Sequence, residues 1–241
     1  MIRILTTNYN TSAYIHRFIY SLQSQSVKEW KCYITDDMST DGSQPYIQSL
    51  ISGDDRFELI ENIKKFWQTG NYYQVLQKEE IDDNDIVITV DGDDWLPDDG
   101  VFQRVLDYYS DGNTWITFGQ FMHYQGENNY KKGFSRKPQP FSEARRLPWT
   151  SSHLRTFKAF LFRKIKYEDL LDDNGYFYKT AGDVVCITPM LEMAGEERVK
   201  YVNDINYVYN VETELNEYKT NLSDQIRVTK KIAEKAKYER I

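Results

Sequence analysis

The sequence predicts an α/β fold, a mostly parallel central sheet flanked by helices. Two observations carry this. Apolar strand-like runs alternate with helix-period segments through the first 110 residues, the pattern of parallel strands joined by right-handed crossovers. One of those runs, Asp85-Ile86-Val87-Ile88-Thr89-Val90, has the shape of a fully buried strand and ends in Asp91-Gly92-Asp93-Asp94-Trp95. A carboxylate cluster after a buried strand lies where open α/β sheets bind their ligands.

Taken in order, Ile2–Thr6 reads as a strand. Ile15, Phe18, Ile19 and Leu22 fall at i, i+3, i+4 and i+7, one face of a helix. Trp30–Thr35 is a second strand, and Asp41-Gly42-Ser43 with Pro45 marks the next helix start. Phe57–Glu61 is a third strand, Gly70–Glu80 a helix, and Asp85–Val90 the fourth strand. Pro97-Asp98-Asp99 opens a helix that runs through Tyr109. Beyond Trp115 the alternation stops. Thr114–Tyr124 is extended, and Gly126–Pro140 is a polar loop or hairpin. Leu154–Phe162 fits strand or helix equally well. Gly182–Ala194 has a helical pattern, with strands expected near Val199–Val202 and Ile205–Val211. The tail from Ser223 reads as a helix carrying Arg227, Lys230, Lys231, Lys235, Lys237 and Arg240. Its basic side reads first as a solvated face. Peripheral membrane contact is the less favoured alternative.

Composition excludes some classes. At 241 residues, 40% hydrophobic and 28% charged, the chain can bury an ordinary soluble core. Thirty cationic against 37 anionic side chains leave a net charge of −7, so nucleic acid is not the expected partner. An anionic small molecule is compatible if local cations offset that background. Cys32 and Cys186 sit in apolar patterns and are expected to be buried, reduced thiols. Met1-Ile2-Arg3-Ile4-Leu5 reads as a strand, not a signal peptide, and no apolar run is long enough to span a bilayer. A cytoplasmic location is the expectation.

The chemistry concentrates in loops. Asp91 and Asp93 share strand parity, and Gly92 between them leaves room for a ligand or metal to approach the backbone. Clustered buried carboxylates repel unless a cation neutralises them, and hard oxygens favour Mg²⁺ or Mn²⁺ with phosphates completing the shell. Asp-Asp doublets recur at positions such as Asp54-Asp55 and Asp82-Asp83, where they read as solvated turns. In Asp36-Asp37-Met38-Ser39-Thr40-Asp41-Gly42-Ser43, carboxylates at a sheet edge can take N–H groups of a base and hydroxyls of a ribose, while Asp41 and Ser43 can cap a helix. The loop imitates the start of an EF-hand, but its twelfth position is Gln48, so that reading fails. Neither a G-x-x-x-x-G-K-[ST] nor a G-x-G-x-x-G loop is present.

Together these residues resemble the family 2 glycosyltransferases. The matching positions are Thr7-Asn8-Tyr9-Asn10, Ser21-Leu22, Gln25-Ser26, Trp30, Asp36–Gly42, Gly70-Asn71 and Asp91-Gly92-Asp93-Asp94. The match holds in order and spacing over residues 1–110 and loosens beyond Tyr124. It implies a Rossmann-like GT-A fold, with a smaller mixed sheet and a C-terminal helix added to the main sheet. Residues 1–110 would form the nucleotide-sugar-binding half, 111–215 the acceptor-binding half of the same domain, and 216–241 a helical tail. Thr6, Asn8, Tyr9 and Asn71 would line the nucleotide pocket, Tyr9 stacking near the base, and Asp36 or Asp37 would hold the base edge. Asp91 and Asp93 would be the DXD motif, Asp91 near the ribose and Asp93 on a Mn²⁺ or Mg²⁺ bridging the diphosphate, with Asp94 and Trp95 as further diphosphate or acceptor contacts. The donor would be a nucleotide sugar, UDP-linked by preference, and the acceptor a glycan or glycoconjugate hydroxyl.

An inverting transfer also needs a general base. In Thr180-Ala181-Gly182-Asp183-Val184-Val185 the candidate is Asp183, with helix-capping as its other reading; Gly182 stands where the family usually has Glu. Two further family positions differ, Thr7 for Pro and Met38 for Gly. In Trp149–Lys158, His153 is a candidate metal ligand or acceptor contact, and Arg155 or Lys158 a diphosphate contact. Two rival functions stay open at this stage. One is a sugar nucleotidyltransferase, although Thr6–Ser12 lacks the Gly and cation of such a loop. The other is a non-catalytic nucleotide-sugar or glycan-binding module.

Overall fold

Alternate residues of the first strands enter two different cores. Ile2 and Ile4 of β1 (Ile2–Asn8), Cys32 and Ile34 of β2 (Trp30–Asp36), and Ile86 and Ile88 of β4 (Ile86–Thr89) pack on one face of the sheet. That face is covered by α1 (Ile15–Gln23), α2 (Ser43–Ile51) and α4 (Val101–Tyr109). Leu5, Tyr33 and Val87 point the other way, into a core built with α3 (Trp67–Leu76), α5 (Ala159–Arg163), α6 (Gly182–Ala194) and α7 (Leu222–Glu234). The period-2 geometry of a strand makes a sheet covered on both faces read as a continuous apolar run. The chain is described by a computed structural model covering residues 1–136, 141–147, 149–213 and 221–241.

Among the described residues the sheet has eight strands. β3 (Phe57–Glu61), β2, β1 and β4 lie side by side and parallel, the arrangement that crossover helices impose. β7 (Arg155–Lys158) joins antiparallel to β4, β5 (Ile116–Tyr124) antiparallel to β7, and β6 (Tyr130–Lys132) antiparallel to β5. β8 (Val199–Asn210) lies parallel along the other side of β5. The mixed portion therefore continues the parallel sheet. The carboxyl ends of β1 and β2 are level, Asn8 beside Asp36, and the run after β4 ends at the same edge. β7 runs backwards, so its first residue, Arg155, is paired with Thr89 at that edge.

Several segments differ from the sequence expectation. α3 begins at Trp67, ahead of Gly70, because Asp37 caps it from another loop (below). It stops at Leu76, where the Arg163 side chain takes the carbonyls of Leu76, Lys78 and Ile81. Leu154–Phe162 is both alternatives in succession, β7 and then α5. The two strands expected after residue 198 are one. Gly119 pairs with Val202 and Gln120 with Ile205, so Asn203 and Asp204 form a bulge. Of the 126–140 segment, expected as a loop or hairpin, the described part turns β5 back onto β6, and residues 137–140 lie outside those described. Cys32 and Cys186 are free and buried, as expected.

The basic tail is a solvated face only in part: Arg227 and Lys230 are exposed, while the other cations are paired to the body. Lys231, Lys235, Lys237 and Arg240 meet Asp173, Asp169, Glu143 and Glu197 of the body. Beneath them Arg145 and Glu192, almost fully buried, form a two-bond ion pair at 2.9 and 2.6 Å. Arg145 also donates to the Ile232 carbonyl, and Glu192 accepts the Tyr238 N–H. With Val228 and Ile232 buried, α7 is tied to α6. Among the described residues no helix is long and apolar enough to cross a membrane.

Candidate active site

The loops at the carboxyl edge, with the starts of α3, α6 and α7, enclose a cavity of about 810 Å³. Asp91, Asp93 and Asp183 all open into it, with Tyr9, Asp37, His153 and Arg155. These seven predicted residues are drawn from five separate stretches of chain. Backbone strain gathers at its rim. Asn10, Met38, Trp67 and Ala181 hold positive φ of 53°, 65°, 51° and 54°, a region costly for residues with a Cβ. Met38 stands where the resemblance expects glycine, and its left-handed backbone is the reason glycine suits the position.

Not every predicted residue reaches the wall. Thr6 donates to the Val90 carbonyl, and Asn8 donates to Asp36 at 2.5 Å and to Ser39. Asp36, fully buried, also accepts Ser39 N–H and the Gln44 amide. Asn71 accepts from Asn62 and lies 3.4 Å from the Thr7 hydroxyl. These four side chains tie the loops together from beneath. Gly70 ahead of Asn71 is a packing glycine, since a Cβ there would lie 2.6 Å from the Phe177 ring. Asp94 turns inward and accepts the Tyr207 hydroxyl at 2.6 Å and the Asn210 N–H at 2.7 Å. Trp95 is buried against Tyr124 and Val208, with Arg17 over its ring. Lys158 lies three residues along β7 from Arg155, at the opposite edge of the sheet, where it binds the Asn84 carbonyl. Asp94, Trp95 and Lys158 are thus corrected from site contacts to structural ones. The space beside Gly92 is taken by Asn8 and Thr11, not by open cavity.

Asp37 does two things. Its carboxylate accepts the N–H groups of Phe66 at 2.9 Å and Trp67 at 3.0 Å, and the Asn62 amide at 2.9 Å. Phe66, the N-cap of α3, offers no side-chain bond of its own, so Asp37 supplies the cap from 29 residues away. Tyr9 is 41% exposed, but the Lys65 ammonium sits 2.9 Å from its ring centroid, so one ring face is already covered.

Charge is concentrated at the centre. Burial pushes the Asp91 carboxyl above its usual range, with Asp183 adding to the rise, while Arg155 and a 3.0 Å bond from the Gln68 amide pull it down. Arg155 is buried between the two acids, 3.4 Å from Asp183, and their charges outweigh burial to hold its proton more tightly. The Arg155 Nη2 also lies 3.2 Å from both ring nitrogens of His153. Burial, Arg155 and His123 hold His153 well below its ordinary pKa, so its ring is neutral at pH 7. That ring is stacked on Tyr207 at 4.2 Å. A nitrogen facing a guanidinium is poorly disposed to a second cation, and His153 is better described as the partner of Arg155. Among the described residues no three His, Cys, Asp or Glu side chains form a metal-holding group. Two hard carboxylates on the wall, Asp91 and Asp93, suit a divalent ion that phosphates complete.

Several wall residues carried no usable signal in the sequence. Lys65 and Lys179 bring cations, each stacked on an aromatic ring, into an acidic protein. Phe121 and His123 of β5 and Tyr209 of β8 form an aromatic wall beside His153. His123 is level with Tyr209 only through the parallel β5–β8 pairing, which joins residues 86 positions apart.

This architecture and edge-of-sheet site define the GT-A class. The chain belongs to glycosyl transferase family 2, whose model matches residues 3–171. TuaG of Bacillus subtilis (strain 168), whose name assigns it to teichuronic acid biosynthesis as a glycosyltransferase, is 32% identical over 60 residues, 25% of this chain and 24% of TuaG. A fragment of S. aureus TarS solved with UDP-GlcNAc superposes with a TM-score of 0.67 at 15% identity, over 96% of this chain and 65% of that one. The mannosyltransferase PcManGT from Pyrobaculum calidifontis, solved with GDP-Man and Mn²⁺, gives 0.61 at 14% identity, over 90% and 59%. At these identities the structures share the fold. The chain spans less than two thirds of each of these relatives.

Proposed function

We propose that this chain moves a sugar from a nucleotide diphosphate donor, UDP-linked by preference, to a hydroxyl of a glycan or glycoconjugate, with inversion at the anomeric carbon. The observation that carries the reading is that Asp91, Asp93 and Asp183 open into one cavity beside Tyr9, Asp37 and Lys65. The ligands bound by the relatives, UDP-GlcNAc for TarS and GDP-Man with Mn²⁺ for PcManGT, support a nucleotide sugar and a divalent cation.

In this reading the base and ribose lie toward Tyr9 and Asp37, and Lys65 and Lys179 face the anionic part of the donor. Asp93 and Asp91 would hold Mn²⁺ or Mg²⁺, which supplies charge stabilisation to the departing diphosphate. The acceptor lies toward Phe121, His123 and Tyr209, whose rings suit a sugar face. Asp183 takes the proton of the attacking hydroxyl, the new C–O bond forms on the face opposite the diphosphate, and the bond to the diphosphate oxygen breaks. Arg155 holds Asp183 in place and compensates its charge in the buried site.

The test is turnover of a donor panel with Mn²⁺, read as nucleoside diphosphate release. Asp93→Asn should abolish release while the melting temperature stays within about 2 °C, since the substitution is near-isosteric on a cavity wall. Undiminished release would refute the assignment. Binding of the donor with no turnover under any condition would favour the binding-module alternative.

A further inference from the structure

We infer that Gln68 is a positioning residue for Asp91, and that residue 182 is glycine to leave its amide room. The inference rests on the reading of Asp91 as a donor-facing carboxylate. Gln68 is the second residue of α3 and Gly182 the first of α6; both line the cavity with Asp91 and Asp183. The Gln68 Nε2 donates to Asp91 Oδ1 at 3.0 Å. The opposite end of the same amide faces Gly182, where a built Cβ would lie 2.6 Å from Gln68 Oε1 and 3.2 Å from Gln68 Cβ. Thr69 Oγ1 would be 3.1 Å away.

Conformation does not demand the glycine. Gly182 is not among the positive-φ residues, so an L side chain could adopt its backbone. Space favours it, because a Cβ would press hardest on the Gln68 amide oxygen, and swinging that amide aside breaks its bond to Asp91. Charge favours the same arrangement. Asp91, Asp93 and Asp183 already share one wall, and an acid at position 182 would add a fourth negative group. A neutral amide that donates to a carboxylate strengthens the site without that repulsion. The amide orientation is the only self-consistent one, since the flipped form would set Oε1 against the Asp91 oxygen.

The test is a double-mutant cycle of Gln68→Ala and Gly182→Ala, read as donor KM, kcat and melting temperature with Mn²⁺ present. Gln68→Ala should raise donor KM about tenfold with kcat within about threefold. Gly182→Ala should raise KM similarly with the melting temperature within about 2 °C of wild type, because alanine's helix propensity offsets the tight contacts with Thr69 and the Gln68 Cβ. A structural role alone would lower kcat and the melting temperature together. The double variant should be no worse than either single one, since both remove the same bond. KM within about twofold of wild type in Gln68→Ala, or fully additive effects, would overturn the inference. If the wild-type protein neither binds nor turns over a nucleotide sugar, it is the proposed function that fails. The Gln68 side-chain amide resonance then decides the present point. Displacement of that resonance by both Asp91→Ala and Gly182→Ala supports the contact, and an unmoved resonance overturns it.

Discussion

Asp37→Asn separates two roles that the sequence could not distinguish. If Asp37 only held a nucleotide base, its loss would weaken donor binding and leave the fold alone. The structure predicts otherwise. The carboxylate accepts Phe66 N–H on one oxygen and Trp67 N–H on the other, and is itself 2% exposed. Asparagine keeps one acceptor and presents an NH₂ to the second N–H, so one buried donor loses its partner in either orientation. An unsatisfied buried N–H costs about 1–3 kcal/mol, and loss of the negative charge at a helix start about 1 kcal/mol more. Trp67 is also held at φ 51°, so the clamp restrains a strained backbone that would relax without it. The sum is about 2–4 kcal/mol, or roughly 5–15 °C for a chain of this size. Thermal and urea unfolding measure it, with Asp55→Asn on the surface as control. Amide exchange at Phe66 and Trp67 should accelerate in parallel. A melting temperature within about 2 °C of wild type, with both amides still protected, would refute the cap and return Asp37 to a purely ligand-facing role.

Asp183→Asn should lower kcat by about 10²–10⁴ with donor KM little changed, the loss expected of a general base; weakened donor binding at normal kcat would reassign the residue. Glu192→Gln should destabilise by about 3–5 kcal/mol, because it leaves Arg145 buried without its counter-charge, and loosening of α7 should show as faster proteolysis near residue 221. A loss under about 1 kcal/mol in urea unfolding would contradict this. Asp85 is buried, which opposes its ionisation, yet bonds from the amino terminus and Arg3 hold it below the usual carboxylate range. A lowered folded value stabilises the protein fully above the unfolded value of about 3.9 and is lost as pH falls through the folded one. Urea midpoints should therefore drop below about pH 4, and Asp85→Asn should flatten that dependence; an unchanged slope would exclude Asp85 as its source.

What the sequence determined by itself is local and periodic. Apolar runs such as Ile86–Thr89 and the i, i+3, i+4, i+7 face from Ile15 to Leu22 name their elements, because a residue's period decides which face it buries. Ordered loop motifs over residues 1–110 likewise named the family, and Asp91, Asp93 and Asp183 were legible because carboxylates at strand and helix ends are conspicuous there. What only the tertiary structure decided is which side chains face the cavity and which brace it. Asp93 and Asp94 are adjacent, yet one lines the wall and the other is bonded to Tyr207 and Asn210 of β8. The same holds for Asp36 and Asp37, and the carboxylate partners of Lys231 and Lys235 likewise lie far away in the chain. Neighbours in sequence share composition, but the partners that saturate a hydrogen bond or cover a charge come from strands and helices that meet only on folding.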